Sequence, residues 1–387
     1  MLQVVNLFYD LFGEYGEVHT FFAPGRVNLI GEHTDYNGGF VFPCALSIGT
    51  YAVARKRFDK KIRMYSKNFP NLGIIEFEVD QLKFEKNHDW ANYPKGVIYA
   101  FGQHDIQIDQ GFDVVYLGNI PNNAGLSSSA SIELVTSVML NDIFQLKLKM
   151  IKMIELSQWA ENKFVGVNCG IMDQFSIGMG KKNHAILLNC QTLDFTYSPL
   201  NLENVALVIA NTNKNRGLAD SKYNERRQQC EKALKALNQV FPAQSLGNIS
   251  INDFELFKHV IKDDISRKRA KHAVYENERT KIAVELLNNG DIHGFGKLMN
   301  ESHISLRDDY EVSIKELDVL VEAAWHEGAI GARMTGAGFG GCTVNLIAKS
   351  LIESFQKNVG KIYNEKTGRN ASFYVVEVGD GARKITE

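Results

Sequence analysis

Between Gly25 and Gly39 the chain reads Gly-Arg-Val-Asn-Leu-Ile-Gly-Glu-His-Thr-Asp-Tyr-Asn-Gly-Gly, directly behind the apolar run Phe21-Phe22-Ala23-Pro24. An Arg, two carboxylates, a His and two Asn fall within a dozen positions. That is too many polar groups for a core strand, because each one buried without a partner costs free energy. A short apolar run followed by a glycine-punctuated polar stretch predicts a strand feeding a loop. Side chains on such a loop can converge on one ligand and hydrogen-bond it from several sides, which suits a polyhydroxyl molecule.

A length of 387 residues is more than a single core usually supports, so two lobes with a cleft between them are expected. Charged residues make up 23% of the chain and the formal net charge is -2. That balance gives no electrostatic case for nucleic acid or an anionic membrane, and a small ligand is expected. The start Met-Leu-Gln-Val-Val-Asn-Leu-Phe has no basic residue before its apolar positions, and no run is long and apolar enough to span a bilayer, so a cytoplasmic protein is expected. Cys44, Cys169, Cys190, Cys230 and Cys342 are widely and irregularly spaced, which argues against a disulfide framework or a zinc site and for reduced, mostly buried thiols.

Alternation predicts strands at Ile74–Val79, Phe112–Leu117 and Ala185–Leu188, and helical spacing predicts helices at Ser131–Leu146 and Met150–Phe164, the first opening in a Ser-rich turn that supplies N-caps. A new strand at Val205–Ala210 opens the second half, with helices at Ala219–Leu237 and Asp264–Leu287. Helix Ile314–Glu327, strands Ala329–Met334 and Thr343–Ile347, helix Leu351–Tyr363 and strand Ser372–Val378 complete an α+β second lobe. The basic run Arg267-Lys268-Arg269-Ala270-Lys271-His272 reads as the solvated face of a long helix.

Ile120-Pro121-Asn122-Asn123-Ala124-Gly125-Leu126-Ser127-Ser128-Ser129-Ala130-Ser131 follows a predicted strand and opens a predicted helix. Backbone N–H groups and the positive helix end then point at one spot, which attracts anions. Gly125 permits close backbone approach, and the hydroxyls can bond phosphate oxygens or ligate magnesium. The chain has no Walker lysine motif and no pair of protein-kinase H-R-D and D-F-G motifs. Met334-Thr335-Gly336-Ala337-Gly338-Phe339-Gly340-Gly341-Cys342 lies between two predicted strands, where the bland reading is a hairpin or bulge. In Val167-Asn168-Cys169-Gly170-Ile171-Met172-Asp173-Gln174-Phe175 a single acid, Asp173, sits among apolar residues after a glycine. On residues alone it is a helix N-cap or a functional carboxylate.

These stretches together resemble the three signatures of the galactokinases, a branch of the GHMP small-molecule kinases, from Phe22 to Thr343. The first block matches without a gap. The second has Asn123 where the family usually has Gly, and Asn tolerates glycine-like backbone angles, so the loop is expected to be kept. The resemblance implies a two-lobed α+β GHMP kinase fold, with a ribosomal-protein-S5-domain-2-like N-terminal lobe (1–200) and a ferredoxin-like C-terminal lobe (201–387) around the active site. It implies transfer of the γ-phosphoryl of ATP to the 1-hydroxyl of α-D-galactose, the first phosphorylation step of galactose catabolism, by a monomer whose partners are galactose and ATP.

By the same resemblance, Asp173 is the base and Arg26 its stabilising cation. Glu32, His33, Thr34, Asp35, Gly170 and Tyr223 hold the sugar. Asn123, Ala124, Gly125, Leu126, Ser127, Ser128 and Ser129 cradle the phosphates, with Ser66 and Trp90 toward the nucleotide. Ser129 and Glu161 ligate Mg2+. Read alone, Glu161 belongs to a solvated helix face, Trp90 to core or rim and Tyr223 to an amphipathic helix. Two alternatives remain open, an N-acetylgalactosamine kinase and a non-catalytic galactose sensor. The Thr34-Asp35-Tyr36-Asn37 stretch looks more like the galactose type, and the intact Ser127–Ser131 segment favours an enzyme.

Overall fold

The computed structural model describes residues 2–121, 125–214 and 219–385. The first half runs α1 (Leu2–Phe12), β1 (His19–Asn28), β2 (Phe40–Val41), β3 (Pro43–Lys56), β4 (Lys61–Ser66), β5 (Ile75–Glu78), α2 (Asn92–Gln103) and β6 (Phe112–Gly118). Then come α3 (Ser128–Ile143), α4 (Met150–Ala160), α5 (Met172–Met179), β7 (His184–Asn189) and β8 (Phe195–Pro199). The second half comprises β9 (Val205–Asn211), α6 (Ala219–Leu237), α7 (Ile251–Phe257), α8 (Asp264–Asn288), α9 (Ile292–Asp308) and α10 (Lys315–His326). It continues through β10 (Gly331–Thr335), β11 (Cys342–Ala348), α11 (Ile352–Thr367), β12 (Ser372–Val376) and β13 (Arg383–Ile385).

Three sheets result, ordered β13-β1-β3-β6-β4-β5, β10-β11-β9-β12 and β2-β7-β8. Only the β4–β6 pairing is parallel among the named strands. The last strand, β13, therefore leaves the second half and pairs with β1 in the first. Side chains of α2, α3, α4 and α5 pack on one face of the large sheet, while Val4, Phe8 and Phe12 of α1 cover Val53 and Val115 on the other. A further core joins the halves: Val27, Leu29, Ile30, Phe42 and Leu46 pack with Ala283, Leu287, Phe295, Val344 and Leu346. Each such aliphatic or aromatic side chain taken fully out of water contributes about 1.5–3 kcal/mol, so the two halves are held together by one shared apolar core.

One polar lock inside the large sheet escaped the sequence reading. Asp113 lies directly opposite Arg55 on one neighbouring strand and Arg63 on the other. It is fully buried and accepts from Arg55 (2.8 Å), Arg57 (3.1 Å) and Arg63 (2.7 Å). Burial would raise its carboxyl, but the Arg63 and Arg55 hydrogen bonds outweigh it and hold the group below its ordinary range.

Several local expectations are corrected. The polar stretch was expected to leave the strand at Gly25, yet β1 runs on to Asn28 after a register shift between Pro24 and Arg26. A strand can carry buried polar residues there because they find partners: Arg26 bonds Asp173, and Asn28 accepts from Phe42 N at 3.2 Å. The helix expected over Met150–Phe164 ends at Ala160 and continues as a π-turn, Glu161–Val165, closed by Gly166 at φ 91°. The run 267–272 is not wholly solvated either. Arg269 and His272 are buried, and Arg269 binds Gln229, Asp309 O and Glu311.

Candidate active site

A cavity of about 620 Å³ opens where the end of β1, the loop after it, the start of α3, the α4–α5 connection, α6 and the turn after β10 meet. Its wall includes Arg26, Glu32, His33, Asp35, the stretch Gly125–Ser129, Glu161, Gly170, Asp173, Tyr223, Gly336 and Ala337. All three glycine-marked motifs therefore face one space. Asn123 and Ala124 lie outside the described residues.

At its floor Arg26, buried on β1, grips Asp173 in the first turn of α5 through both carboxylate oxygens, Nε to Oδ1 and Nη2 to Oδ2, each at 2.8 Å. A planar guanidinium meets a carboxylate best in this fork geometry. The third nitrogen, Nη1, donates to Gly125 O at 2.9 Å, tying the pair to the phosphate-loop motif. Asp173 is not the N-cap of α5, a position held by Ile171. Ser127, which precedes α3, makes no side-chain cap bond and sits at φ 60°. Its hydroxyl instead donates to Asp173 Oδ2 at 2.5 Å, so the Ser-rich turn is shaped around the carboxylate rather than around its helix.

Asp35 approaches from the first motif. A Cβ on Gly170 would collide with its carboxylate, so only glycine allows that closeness. Burial, then the charge of Asp173, pushes the Asp35 carboxyl up to about 7. Glu161 is pushed up to about 7 for the same two reasons in the same order, and it hydrogen-bonds Ser129. It is buried, not solvated, because the π-turn places it inward; such bulges often occur at functional sites. Gln174 Nε2 donates to Glu161 Oε2 (2.6 Å) and to the buried Glu133 Oε2 (3.1 Å). Carboxyls raised by burial and by a neighbouring negative charge favour a cation or hydroxyl donor beside them. Ser129 and Glu161 offer the hard oxygen ligands that magnesium takes, usually as one or two protein groups beside phosphates and water.

The remaining predicted residues divide. Glu32 lines the cavity but is also paired with Arg333, Nη2 to Oε2 at 2.6 Å, both fully buried. His33 Nδ1 meets the Tyr36 hydroxyl at 2.8 Å, and burial drives its basicity well down, so it is a neutral ring. The Tyr223 ring lies tilted against His33 and edge-on to Tyr36, with centroids at 5.6 and 5.1 Å. Thr34 does not line the cavity: its hydroxyl is within 2.8 Å of Gly31 O and 2.6 Å of Phe40 O, closing the loop on itself. Leu126 and Ser128 both line the cavity, the former buried and the latter exposed. Trp90 is buried against Tyr116 in the first-half core, and Ser66 caps Asn68 N at the end of β4; neither lines the cavity. Arg333, Gln174 and Glu133 were missed by sequence reading. Their only local signal is that Gln174 follows Asp173 and Arg333 precedes the third motif.

Known proteins resemble this chain over its whole length. The galactokinase galactose-binding signature matches residues 6–56, the GHMP kinase N-terminal domain residues 92–181 and the GHMP kinase C-terminal domain residues 283–364. The galactokinase of Fusobacterium nucleatum is 63% identical over 385 residues, 99% of each chain. That of Bacillus subtilis is 55% identical over 384 residues, 99% of this chain and 98% of that one. The structure of Lactococcus lactis galactokinase complexed with galactose superposes with a TM-score of 0.97 at 48% identity, covering 99% of each chain. At 19% identity, Methanococcus jannaschii mevalonate kinase shares the fold, with a TM-score of 0.65 over 95% of this chain and 99% of that one.

Proposed function

The chain belongs to the galactokinase family, a branch of the GHMP kinases, and on that premise we propose that it transfers the γ-phosphoryl group of ATP to the 1-hydroxyl of α-D-galactose. The observation that carries this reading is the Arg26–Asp173 fork, held between the sugar motif and the phosphate-loop motif. Phosphoryl transfer to an alcohol needs a place for the hydroxyl proton, charge neutralisation and correct positioning, with little other covalent help from protein. Asp173 takes the proton. Arg26 holds that carboxylate in its fork and faces the charge that develops on the transferring group. Asp35, Glu32, His33 and Tyr223 orient the sugar, and the Gly125–Ser129 backbone and hydroxyls receive the phosphates.

Ser129 and Glu161 would hold a magnesium ion, which would neutralise phosphate charge there. We place the lobes at 1–200 and 201–387, with β13 returning to the first, and take the protein to act as a cytoplasmic monomer; among the described residues no helix is long and apolar enough to cross a membrane.

An ADP-release assay with ATP and magnesium across galactose, N-acetylgalactosamine and glucose tests the substrate. Turnover is expected with galactose, and glucose is expected to be very poor, because a site built to pair one hydroxyl arrangement leaves polar groups unpaired with the epimer. Preference for N-acetylgalactosamine, or galactose binding without ADP release, would overturn the reading. Glu161→Ala is expected to raise the magnesium needed for half activity by at least about 10-fold while galactose KM stays near the parent value. The magnesium requirement of the parent protein should also climb as pH falls through about 7, where the proton competes for Glu161. An unchanged magnesium curve would remove Glu161 from the metal.

A further inference from the structure

The sugar loop leaves β1 in the first half of the chain but rests on a helix of the second. Glu276 on α8 is fully buried. Its Oε1 accepts from two consecutive loop amides, Gly31 N at 3.0 Å and Glu32 N at 3.2 Å, and from Ser302 Oγ at 2.6 Å. Its other oxygen is paired with Arg279 Nη1. Burial by itself would raise this carboxyl, but its neighbours, Arg279 foremost, then His272 and Arg333, and the Ser302 hydroxyl bring it down to about 2. The acceptor is therefore ionised wherever the protein works, and bonds to a charged acceptor are the stronger kind.

The same helix face holds the loop at other points. One turn earlier, His272 Nε2 donates to Glu32 O at 3.0 Å, while its Nδ1 accepts from Ser305 Oγ at 2.9 Å. One residue further on, Asn277 Oδ1 accepts from Phe40 N at 2.7 Å, at the far end of the loop. Gly31 itself sits at φ 89°, wedged against Phe40 O and Thr280 Oγ1. With Arg333 on the Glu32 carboxylate and on Asn28 O, the peptide planes and the side chain of Glu32 are all determined from the second half. None of Glu276, His272 and Asn277 lines the cavity.

We propose that Glu276 is a positioning residue for sugar recognition: by holding the Gly31 and Glu32 amides it sets the direction in which Glu32, His33 and Asp35 enter the cavity. It touches neither substrate nor the reacting atoms. The inference rests on the assignment of the loop to galactose.

The test compares galactose KM, ATP KM and kcat for the full chain and its Glu276→Gln, Glu276→Asp and Ser302→Ala variants, with galactose affinity measured separately by calorimetry. Glu276→Gln keeps the shape but removes the charge, so galactose KM and Kd are expected to rise roughly 10-fold or more, with kcat at saturating galactose and ATP KM within about twofold. Glu276→Asp, which restores the charge, should lie nearer the parent protein. Ser302→Ala removes one partner of the same oxygen without touching the loop, and its expected effect is a rise of about twofold in galactose KM alone. It keeps the test valid if Glu276→Gln fails to fold. Unchanged galactose KM in folded variants, or equal losses for galactose and ATP, would overturn the proposal. A parent protein that neither binds nor phosphorylates galactose would overturn both this inference and the proposed function, whereas an active parent with insensitive variants overturns this inference alone.

Discussion

Asp173→Asn is expected to lower turnover by a general-base factor of about 10² to 10⁴ while galactose binding survives. The substitution preserves size but removes the oxygen that would take the hydroxyl proton. It also leaves Arg26, whose Nε and Nη2 both end on Asp173, facing an amide in place of a charge. Single-turnover measurement at saturating ATP and galactose separates chemistry from binding, and turnover near the parent value would end the assignment of Asp173 as base. A second consequence is independent of rate. After burial, the charge of Asp173 is what pushes the Asp35 carboxyl up to about 7, so its neutralisation should shift the pH midpoint of galactose binding downward.

Asp35→Ala is expected to weaken galactose binding by roughly 2 to 4 kcal/mol, the cost of losing a charged hydrogen-bonding partner, which is about 30- to 1,000-fold. ATP affinity should change little. Titration of the variant with galactose and, separately, with a non-hydrolysable ATP analogue decides the matter; equal losses for both ligands would mean that Asp35 supports the loop and does not read the sugar.

The parent protein carries a pH signature of the same group. Its carboxyl is raised to about 7, and only the ionised form is a pure acceptor for two sugar hydroxyls. Galactose affinity should therefore be full above that value and fall as pH drops through it. In Asp35→Ala the slope in that window should vanish. Calorimetry without nucleotide or magnesium isolates this effect from Glu161, which titrates in the same range.

Helices α6 and α8 and strand β9 could be read from the chain almost to the residue, because apolar spacing is a local property that survives without knowledge of neighbours. The chemistry of the three motifs was legible for a related reason. A cluster of Arg, Glu, His and Asp behind an apolar run is improbable as core, whereas the four glycines in six residues gained their meaning only from standing beside the other motifs. What remained hidden depends on pairs far apart in the chain. Arg26 and Asp173 are separated by 147 positions, Glu276 and Gly31 by 245. Spacing does not report that a polar end of β1 will be buried, because only the arriving partner makes that burial tolerable. Ser127 would be an N-cap on local preference alone; the nearby carboxylate recruits its hydroxyl instead. Sequence by itself thus determined which residue types gather in the three glycine-marked motifs that line one cavity. Tertiary structure decided their direction, since the loop carrying Glu32, His33 and Asp35 is held by hydrogen bonds from its amides to a carboxylate on a helix from the other half, and hydrogen-bond geometry of that kind exists only once both halves share one core.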